Sequence, residues 1–246
     1  MTTCAYAGPD SLLLRLTGAV HRRCAHSRRV RALAEVICGL GITPGRWLDI
    51  GCGDGQLAQA IMMSNPGVEI VGVDVKPRCD AVIPVDAIDG KRLDYPDAFF
   101  DGAILVDVLH HADDPAAILA EAVRVSRTII IKDHLCRGTV DRLTLSFMDW
   151  FGNAPWGVSC PGNYLSLEQW NGLFRRTRLH LDVFCTKLGL YPAAFRFLFE
   201  RGLHFAARLT RVDCRPALLS KRIAIIERNA NQRQERQHCQ PSPITG

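Results

Sequence analysis

The sequence lacks the features that would assign a protein at once to several specialised classes. Its ten cysteines include no Cys-x-x-Cys pair, which argues against a zinc ribbon or a dithiol redox motif. No uninterrupted apolar run approaches the length needed to span a bilayer. The N-terminus has Asp10 ahead of a short apolar run ending at Arg15 and does not resemble a secretory signal. We therefore expect a cytoplasmic protein with reduced thiols.

The chain also has little excess charge. Its net charge of +5 is spread over 246 residues, so it permits binding to nucleic acid or an anionic membrane without demanding either. No RNA-binding module is visible. Hydrophobic residues make up 48% and charged residues 22% of the chain, which is typical of a folded protein. This length and composition suit one main domain with additions.

The most informative stretch is Trp47–Gly55, which reads WLDIGCGDG. The strand-like run Trp47–Ile50 ends abruptly in three alternating glycines, Gly51, Gly53 and Gly55. Apolar residues then recur at helical spacing. The pattern predicts a strand, a glycine turn and a helix whose unpaired N–H groups face a ligand.

The glycine spacing differs from the dinucleotide-binding pattern Gly-x-Gly-x-x-Gly. Asp49 precedes the turn and Asp54 lies within it; these carboxylates would repel a pyrophosphate and suit a cation. The Gly-x-Gly-x-Gly form resembles the class I (Rossmann-like) methyltransferases of the small-molecule type. Their cofactor, S-adenosylmethionine (AdoMet), carries an ammonium and a sulfonium but no phosphate. An ordinary strand-to-helix turn is the alternative.

Strands and helices alternate from Gly45 to Lys132, which indicates a parallel sheet wrapped by helices. The resemblance implies an α/β, doubly wound, mostly parallel seven-stranded sheet with one antiparallel strand and helices on both faces. The strands are expected at Trp47–Ile50, Val68–Val73, Ala81–Val85, Asp101–Val106, Thr128–Lys132, Leu179–Thr186 and Arg222–Glu227. The expected divisions are an N-terminal helical cover at 1–43, the cofactor-binding domain at 44–228 with inserts at 136–176 and 190–215, and a disordered tail at 229–246.

The resemblance assigns the cofactor to the carboxyl ends of the first four strands. Asp74 would accept hydrogen bonds from the ribose, Asp86 would contact the adenine, and Asp107 would border the methionine part. The expected cofactor-binding residues are Asp49, Gly51, Cys52, Gly53, Gly55, Asp74, Val75, Asp86, Ala87, Asp107 and Val108. Simple turn chemistry is the alternative for Asp74 and Asp86.

Histidines follow the fourth and fifth strands. A hydroxyl or activated carbon acceptor must lose a proton, and His110, His111 and His134 are the candidate catalytic bases because neutral imidazole suits this task near pH 7. Chemically idle histidines are the alternative. With Asp113 and Asp133 they could supply ligands to a divalent ion, but the spacing is not diagnostic and no metal site is predicted.

Two helical patterns precede the first strand, at Ser11–Val20 and Ser27–Leu40, with the basic cluster His21–Arg23 between them. Arg28, Arg29 and Arg31 continue this cluster into the second helix. They are interpreted as a solvated helix face, with a site for an anionic substrate or membrane as the alternative.

Two later segments lie outside the common core. A helix is predicted over Thr139–Phe151, and a long aromatic loop follows it. Tyr191–Arg211 is interpreted as an amphipathic basic helix, for which core or dimer packing is favoured over a membrane surface. The residues expected to line an acceptor site, or to form a packed lid, are Asp149, Trp150, Asn153, Trp156 and Tyr164.

The resulting hypothesis is methyl transfer from AdoMet to the O, C or N nucleophile of a small, planar or apolar molecule. The segment Asp107–His110 does not resemble the Asn-Pro-Pro-Tyr-like segment that holds a flipped base, so no nucleic-acid partner is expected. A homodimer is considered. The alternatives are a catalytically inactive AdoMet-binding regulatory or interaction protein and a nicotinamide enzyme.

Overall fold

The computed structural model describes residues 27–153 and 162–212, with the backbone alone at 151–153 and 193–195. Seven strands in these ranges form one sheet. They are β1 (Gly45–Ile50), β2 (Val68–Asp74), β3 (Val85–Ala87), β4 (Phe100–Val106), β5 (Ser126–His134), β6 (Leu179–Cys185) and β7 (His204–Arg211). The helices are α1 (Ser27–Gly39), α2 (Gln56–Ser64), α3 (Pro115–Val125), α4 (Thr139–Asn153), α5 (Leu167–Arg176) and α6 (Ala193–Phe199), with a 3₁₀ turn at Leu109–His111.

The strand order is β3-β2-β1-β4-β5-β7-β6. The first five strands pair in parallel, and β7 runs antiparallel to both β5 and β6. The order reverses between β1 and β4, which is where doubly wound sheets bind ligands. The predicted fold class is confirmed.

Successive apolar side chains of the central strands point to opposite faces of the sheet and form one apolar layer on each face. Ile129 and Ile131 of β5 pack on one face with Leu119 of α3, while Ile130 packs on the other face with Ile37 of α1. Successive strand residues point to opposite faces, so a strand buried on both sides is apolar throughout. Helices therefore cover both faces, and polar side chains gather at the strand ends.

The third strand lies later in the chain than predicted, at Val85–Ala87 rather than Ala81–Val85. Pro84 has no N–H to donate to a sheet ladder. The preceding segment instead packs on the glycine turn, because Val82 N donates to Asp54 O at 2.9 Å. Asp86 and Ala87 thus lie within the strand rather than after it.

The helical interpretation of Tyr191–Arg211 is wrong. Only α6 is helical there, and β7 forms the seventh strand of the described sheet. The strand predicted at Arg222–Glu227 lies outside the described residues. Phe205 packs in one apolar layer and Ala206 in the other, so β7 is buried on both faces and has no polar alternation to mark it as a strand. The proposed insert at 190–215 therefore contains a strand of the sheet.

Two helices begin with side-chain caps. Ser166 and Gln169 form a capping box at the start of α5, and Asp114 caps α3 with Pro115 in its first turn. None of the described helices combines the length and the apolarity needed to cross a membrane. The predicted helix at Ser11–Val20 and the tail at 229–246 lie outside the described residues, and the outer domain boundaries stay predictions.

Candidate active site

The glycine turn lies where the carboxyl ends of β1, β2 and β4 meet. Gly51, Gly53 and Gly55 have φ between 59° and 73°, the left-handed region that favours glycine. A Cβ at Gly51 would lie 2.6 Å from Val108 Cγ2, and one at Gly55 would collide with Ile83; at Gly53 nothing lies within 4 Å. The turn is therefore tightly packed at both ends and open in the middle.

Asp74 holds this open part of the turn. Its Oδ2 accepts from Gly53 N at 3.0 Å, and its Oδ1 accepts from Lys76 N at 2.8 Å. Because each carboxylate oxygen has two lone pairs, the pair of bonds leaves capacity for further donors such as ribose hydroxyls. Asp74 thus lies where the sequence predicted it.

A small apolar hollow of about 80 Å³ lies beside Asp74. Val75, Ile88 and Val108 contribute to its walls, together with Gly51. An apolar hollow edged by a carboxylate suits a planar base and its sugar.

The third-strand residues occupy a different place from the one expected. Neither Asp86 nor Ala87 is among the residues that line the hollow. Asp86 Oδ2 instead accepts from the Tyr95 hydroxyl at 3.1 Å. A direct adenine contact through Asp86 stays a prediction.

Two residues of the turn are buried beneath it. Asp49 is almost fully buried, and burial, followed by repulsion from Asp74 and Asp54, raises its pKa to about 7. Burial also raises the pKa of the Cys52 thiol. A Cβ at Gly72 would lie 2.7 Å from Cys52 Sγ, so the Cys52 side chain packs on β2.

Asp107, at the end of β4, is paired with two cations. Arg29 of α1 donates to its Oδ2, and Lys132 of β5 donates to its Oδ1 at 2.5 Å. Burial alone would raise the pKa of Asp107, but Lys132 and Arg29 hold it well below the usual value. Asp107 has φ of 56°, a conformation that costs a non-glycine residue energy, and both ion pairs fix it there.

Neither cation was predicted from the sequence to pair with Asp107. Arg29 belongs to neither a solvated face nor an anion site, since its charge is matched by Asp107. Lys132 is fully buried. The one sign of its role in the sequence was a single lysine at the end of an apolar strand, next to a strand end that bears a carboxylate.

His110 and His134 are both buried and are joined by Asp133. Asp133 Oδ1 accepts from His110 Nδ1 at 2.7 Å and from the His134 backbone N–H at 2.7 Å, and its Oδ2 accepts from Leu109 N at 3.1 Å. Burial opposes ionisation of Asp133, but His110 keeps its pKa below the usual range. Asp133 therefore fixes the orientation of the His110 ring.

The pKa values of the three candidate bases are shifted in different directions. Burial lowers the pKa of His134 and of His111, so both favour the neutral form. Burial alone would also lower the pKa of His110, but Asp133 raises it above the usual value. The structure thus brings together the three predicted histidines, and burial favours the neutral form, which a base requires, in two of them.

Two of the expected acceptor-site residues lie against His110. The buried Tyr164 hydroxyl donates to Asp149 Oδ2 at 2.5 Å, and His110 Nε2 lies 3.4 Å from the same oxygen. Trp150 is 59% exposed and packs beside Phe147, so it does not join this cluster. The Asn153 side chain and Trp156 lie outside the described residues.

His204 is a further buried residue of the site that sequence analysis missed. It stands opposite His134 in the β5–β7 ladder, and its ring lies 5.0 Å from that of His134 and 5.7 Å from that of Tyr191. Burial holds its pKa well below the usual value. No local pattern could have placed His204 here, because its segment was interpreted as a helix.

The doubly wound sheet, the glycine turn and Asp74 at the end of β2 together define a Rossmann-like α/β domain of the class that binds nucleosides. The sequence profile described as "Methyltransferase domain" matches residues 19–181, more than half of the chain. The chain belongs to this methyltransferase family, and the family and fold imply AdoMet as the cofactor. The open middle of the turn at Gly53, with carboxylates at Asp49 and Asp74, fits a cationic nucleoside.

Curated relatives match over shorter stretches. The chain is 32% identical over 95 residues to 27-O-demethylrifamycin SV methyltransferase of Amycolatopsis mediterranei, covering 33% of this chain and 35% of the relative. It is 27% identical over 121 residues to the ubiquinone biosynthesis O-methyltransferase of Yersinia enterocolitica, covering 44% of this chain and 48% of the relative. The chain therefore spans about a third to a half of the length of these relatives.

A solved structure supports the fold. The methyltransferase in complex with the Trm112 methyltransferase activator of Haloferax volcanii has a TM-score of 0.57 with this chain. The match covers 82% of this chain and 98% of the other at 14% identity. Identity this low shows a shared fold, and function is argued from the site.

Proposed function

We propose that the protein is an AdoMet-dependent methyltransferase that acts on a small-molecule acceptor. The observation that carries the proposal is the glycine turn, open at Gly53 and held there by Asp74, beside an apolar hollow. The residues proposed to hold the cofactor are Asp49, Gly51, Cys52, Gly53, Gly55, Asp74, Val75, Asp107 and Val108, with Asp86 and Ala87 at the edge. A cytoplasmic location and a homodimer stay predictions.

When bound, AdoMet supplies an electrophilic sulfonium methyl group, and S-adenosylhomocysteine is released once a nucleophile has taken that methyl and the C–S electron pair has returned to sulfur. The protein has to align the acceptor with that methyl and exclude water, because much of the activation barrier comes from bringing the two reactants into the reacting geometry. A histidine among His110, His111 and His134 would take the proton of an acceptor hydroxyl. The burial of His110 and His134 at the carboxyl ends of β4 and β5 supports a dry reaction site.

An oxygen acceptor is favoured among O, C and N nucleophiles. Both curated relatives are named as O-methyltransferases or for an O-demethylated compound. Tyr164, buried against the histidine cluster, supports a planar or apolar acceptor because aromatic walls suit such molecules.

Titration calorimetry with AdoMet tests the cofactor assignment. Asp74→Asn removes a charge and one acceptor oxygen, so we expect affinity to fall between tenfold and a hundredfold, about 1.5–3 kcal/mol. Asp80→Asn is the matched control, since Asp80 is exposed and pairs with Arg78 at 2.7 Å. Wild type that binds NAD but not AdoMet would refute the assignment.

Turnover is tested separately by following S-adenosylhomocysteine with a panel of hydroxylated aromatic acceptors. We expect product with at least one of them. Tight AdoMet binding without product across the panel would favour the alternative of an AdoMet-binding interaction protein.

A further inference from the structure

The fold brings together a set of metal-ligand residues that differs from the one weighed in the sequence. His110 and His111 lie in the turn after β4, and Asp149 lies on α4. One ligand atom from each lies within 4.8 Å of the others. His110 is buried, with its side chain 2% exposed, and Asp149 is buried as well.

His110 Nε2 belongs to this group and makes no hydrogen bond among the described residues. Its Nδ1 donates to Asp133 at 2.7 Å, so in the neutral ring Nε2 carries a lone pair. Within the part of the chain that the structure describes, this buried nitrogen has no hydrogen-bond partner. Asp149 Oδ2 lies 3.4 Å away. When the ring is neutral, its lone pair faces this carboxylate oxygen, and a metal cation held between them would take the place of the proton that otherwise joins them.

A second group of possible ligands nearby is already satisfied. Asp107 is neutralised by Lys132 and Arg29, and Asp133 accepts bonds from a ring nitrogen and two backbone N–H groups. Their charge is matched within the protein. The group with the unmatched atom is therefore the better candidate for an ion.

We propose that His110 Nε2, His111 and Asp149 bind a divalent ion of the zinc class. Two imidazoles and one carboxylate are the ligands that zinc and related transition metals take in catalytic sites, where a fourth position stays open. Asp133 orients His110 and Tyr164 orients Asp149, as the hydrogen-bonded neighbours of metal ligands do.

This metal site would extend the proposed methyl transfer, and its role in the reaction rests on that proposed function. The open coordination position of the metal would bind an oxygen atom of the acceptor. It would hold that oxygen near the carboxyl ends of the strands, where the methyl group is proposed to be transferred. The substrate class is thereby narrowed to acceptors with a hydroxyl or carbonyl oxygen that can ligate a metal.

The test uses the full chain after chelator treatment, without AdoMet or acceptor. Titration with Co²⁺, followed by its visible absorption, and calorimetry with Zn²⁺ should each show one equivalent bound. His111→Gln and Asp149→Asn should each weaken binding more than tenfold. His180→Gln is the control, because His180 lies on β6 with its side chain 41% exposed, and it should bind as wild type does.

Circular dichroism and AdoMet affinity of each variant establish that it is folded. Wild type that binds no stoichiometric Co²⁺ or Zn²⁺, or binding that His111→Gln and Asp149→Asn retain, would overturn the site. Loss in His180→Gln as well would show binding elsewhere and overturn it too. AdoMet affinity is measured independently, so a failed metal site with intact AdoMet binding is distinguishable from failure of the proposed function.

Discussion

Neighbouring glycines of one turn have separable physical roles. Gly53 faces open space, whereas Gly55 is packed against Ile83. Both require a left-handed backbone, so an added Cβ strains either of them by about 1–2 kcal/mol. What differs is whether the Cβ meets the protein or the ligand.

We predict that Gly53→Ala mainly weakens AdoMet binding, by tenfold or more, because its Cβ enters the space that the ligand approaches. Gly55→Ala should mainly destabilise the fold, since collision with Ile83 adds about 1–3 kcal/mol to the strain. Urea unfolding and calorimetry separate the two effects. Equal losses of affinity and of stability in both variants would contradict the assignment.

Asp49 predicts a pH dependence. Burial raises its pKa to about 7, so the carboxylate ionises as the pH rises from 6 to 8. A cationic ligand prefers the ionised form, and AdoMet affinity should therefore increase over this range. Asp49→Asn should flatten the profile, as measured by calorimetry at matched ionic strength.

The stability of the ligand-free protein should change with the opposite sign. The folded pKa lies above the unfolded one, so the folded state holds a proton that the unfolded chain has released between about pH 4 and 7. This contribution to stability is present at low pH and is lost as the pH rises through 7. Asp49→Asn should thus gain stability relative to wild type at pH 8 but not at pH 4; a gain at both would contradict this.

At the scale of elements, β5 contains the buried charge that joins the N-terminal helix to the sheet. Lys132 of β5 and Arg29 of α1 meet at Asp107. These ion pairs connect the start of α1 to the carboxyl ends of β4 and β5.

We predict that Lys132→Met lowers the free energy of unfolding by about 3–5 kcal/mol, because it leaves a buried carboxylate short of a partner. Arg127→Met, on the same strand, should change it by less than about 1 kcal/mol, since Arg127 is exposed and lies 3.9 Å from Asp101. Urea denaturation measures both. The double variant Lys132→Met with Asp107→Asn should recover part of the loss, and no recovery would argue against the pair.

Elements with a local signature could be predicted from the sequence. The capped start of α5 at Ser166 and the strand before the glycine turn depend on residues close together in the chain. β7 could not be predicted, because both its faces are buried and its apolar residues fit a helix as well as a strand. Its identity depends on pairing with β5 and β6.

At the scale of the whole molecule, the two apolar layers support a site made from strand ends far apart in sequence. Ligand that binds only the folded state raises its stability by mass action. AdoMet at a hundred times its dissociation constant should add about 2.7 kcal/mol, which is about 5–10 °C in melting temperature for a domain of this size. Differential scanning fluorimetry measures this shift; an equal shift with NAD would contradict the cofactor assignment.

The sequence by itself determined the part of the candidate site that is proposed to bind the nucleoside. The glycine turn, Asp49 and Asp74 lie on two strands whose parallel order follows from the alternation of strands and helices, so their neighbourhood was predictable. These signals are local, and local sequence dictates local backbone.

Only the tertiary structure decided the histidine-containing part of the candidate site. Arg29 meets Asp107 from 78 residues away, His204 faces His134 through antiparallel pairing, and His110 meets Asp149 across the turn and α4. Such contacts depend on how helices and edge strands pack against the sheet. The hydrophobic periodicity of the sequence does not predict that packing.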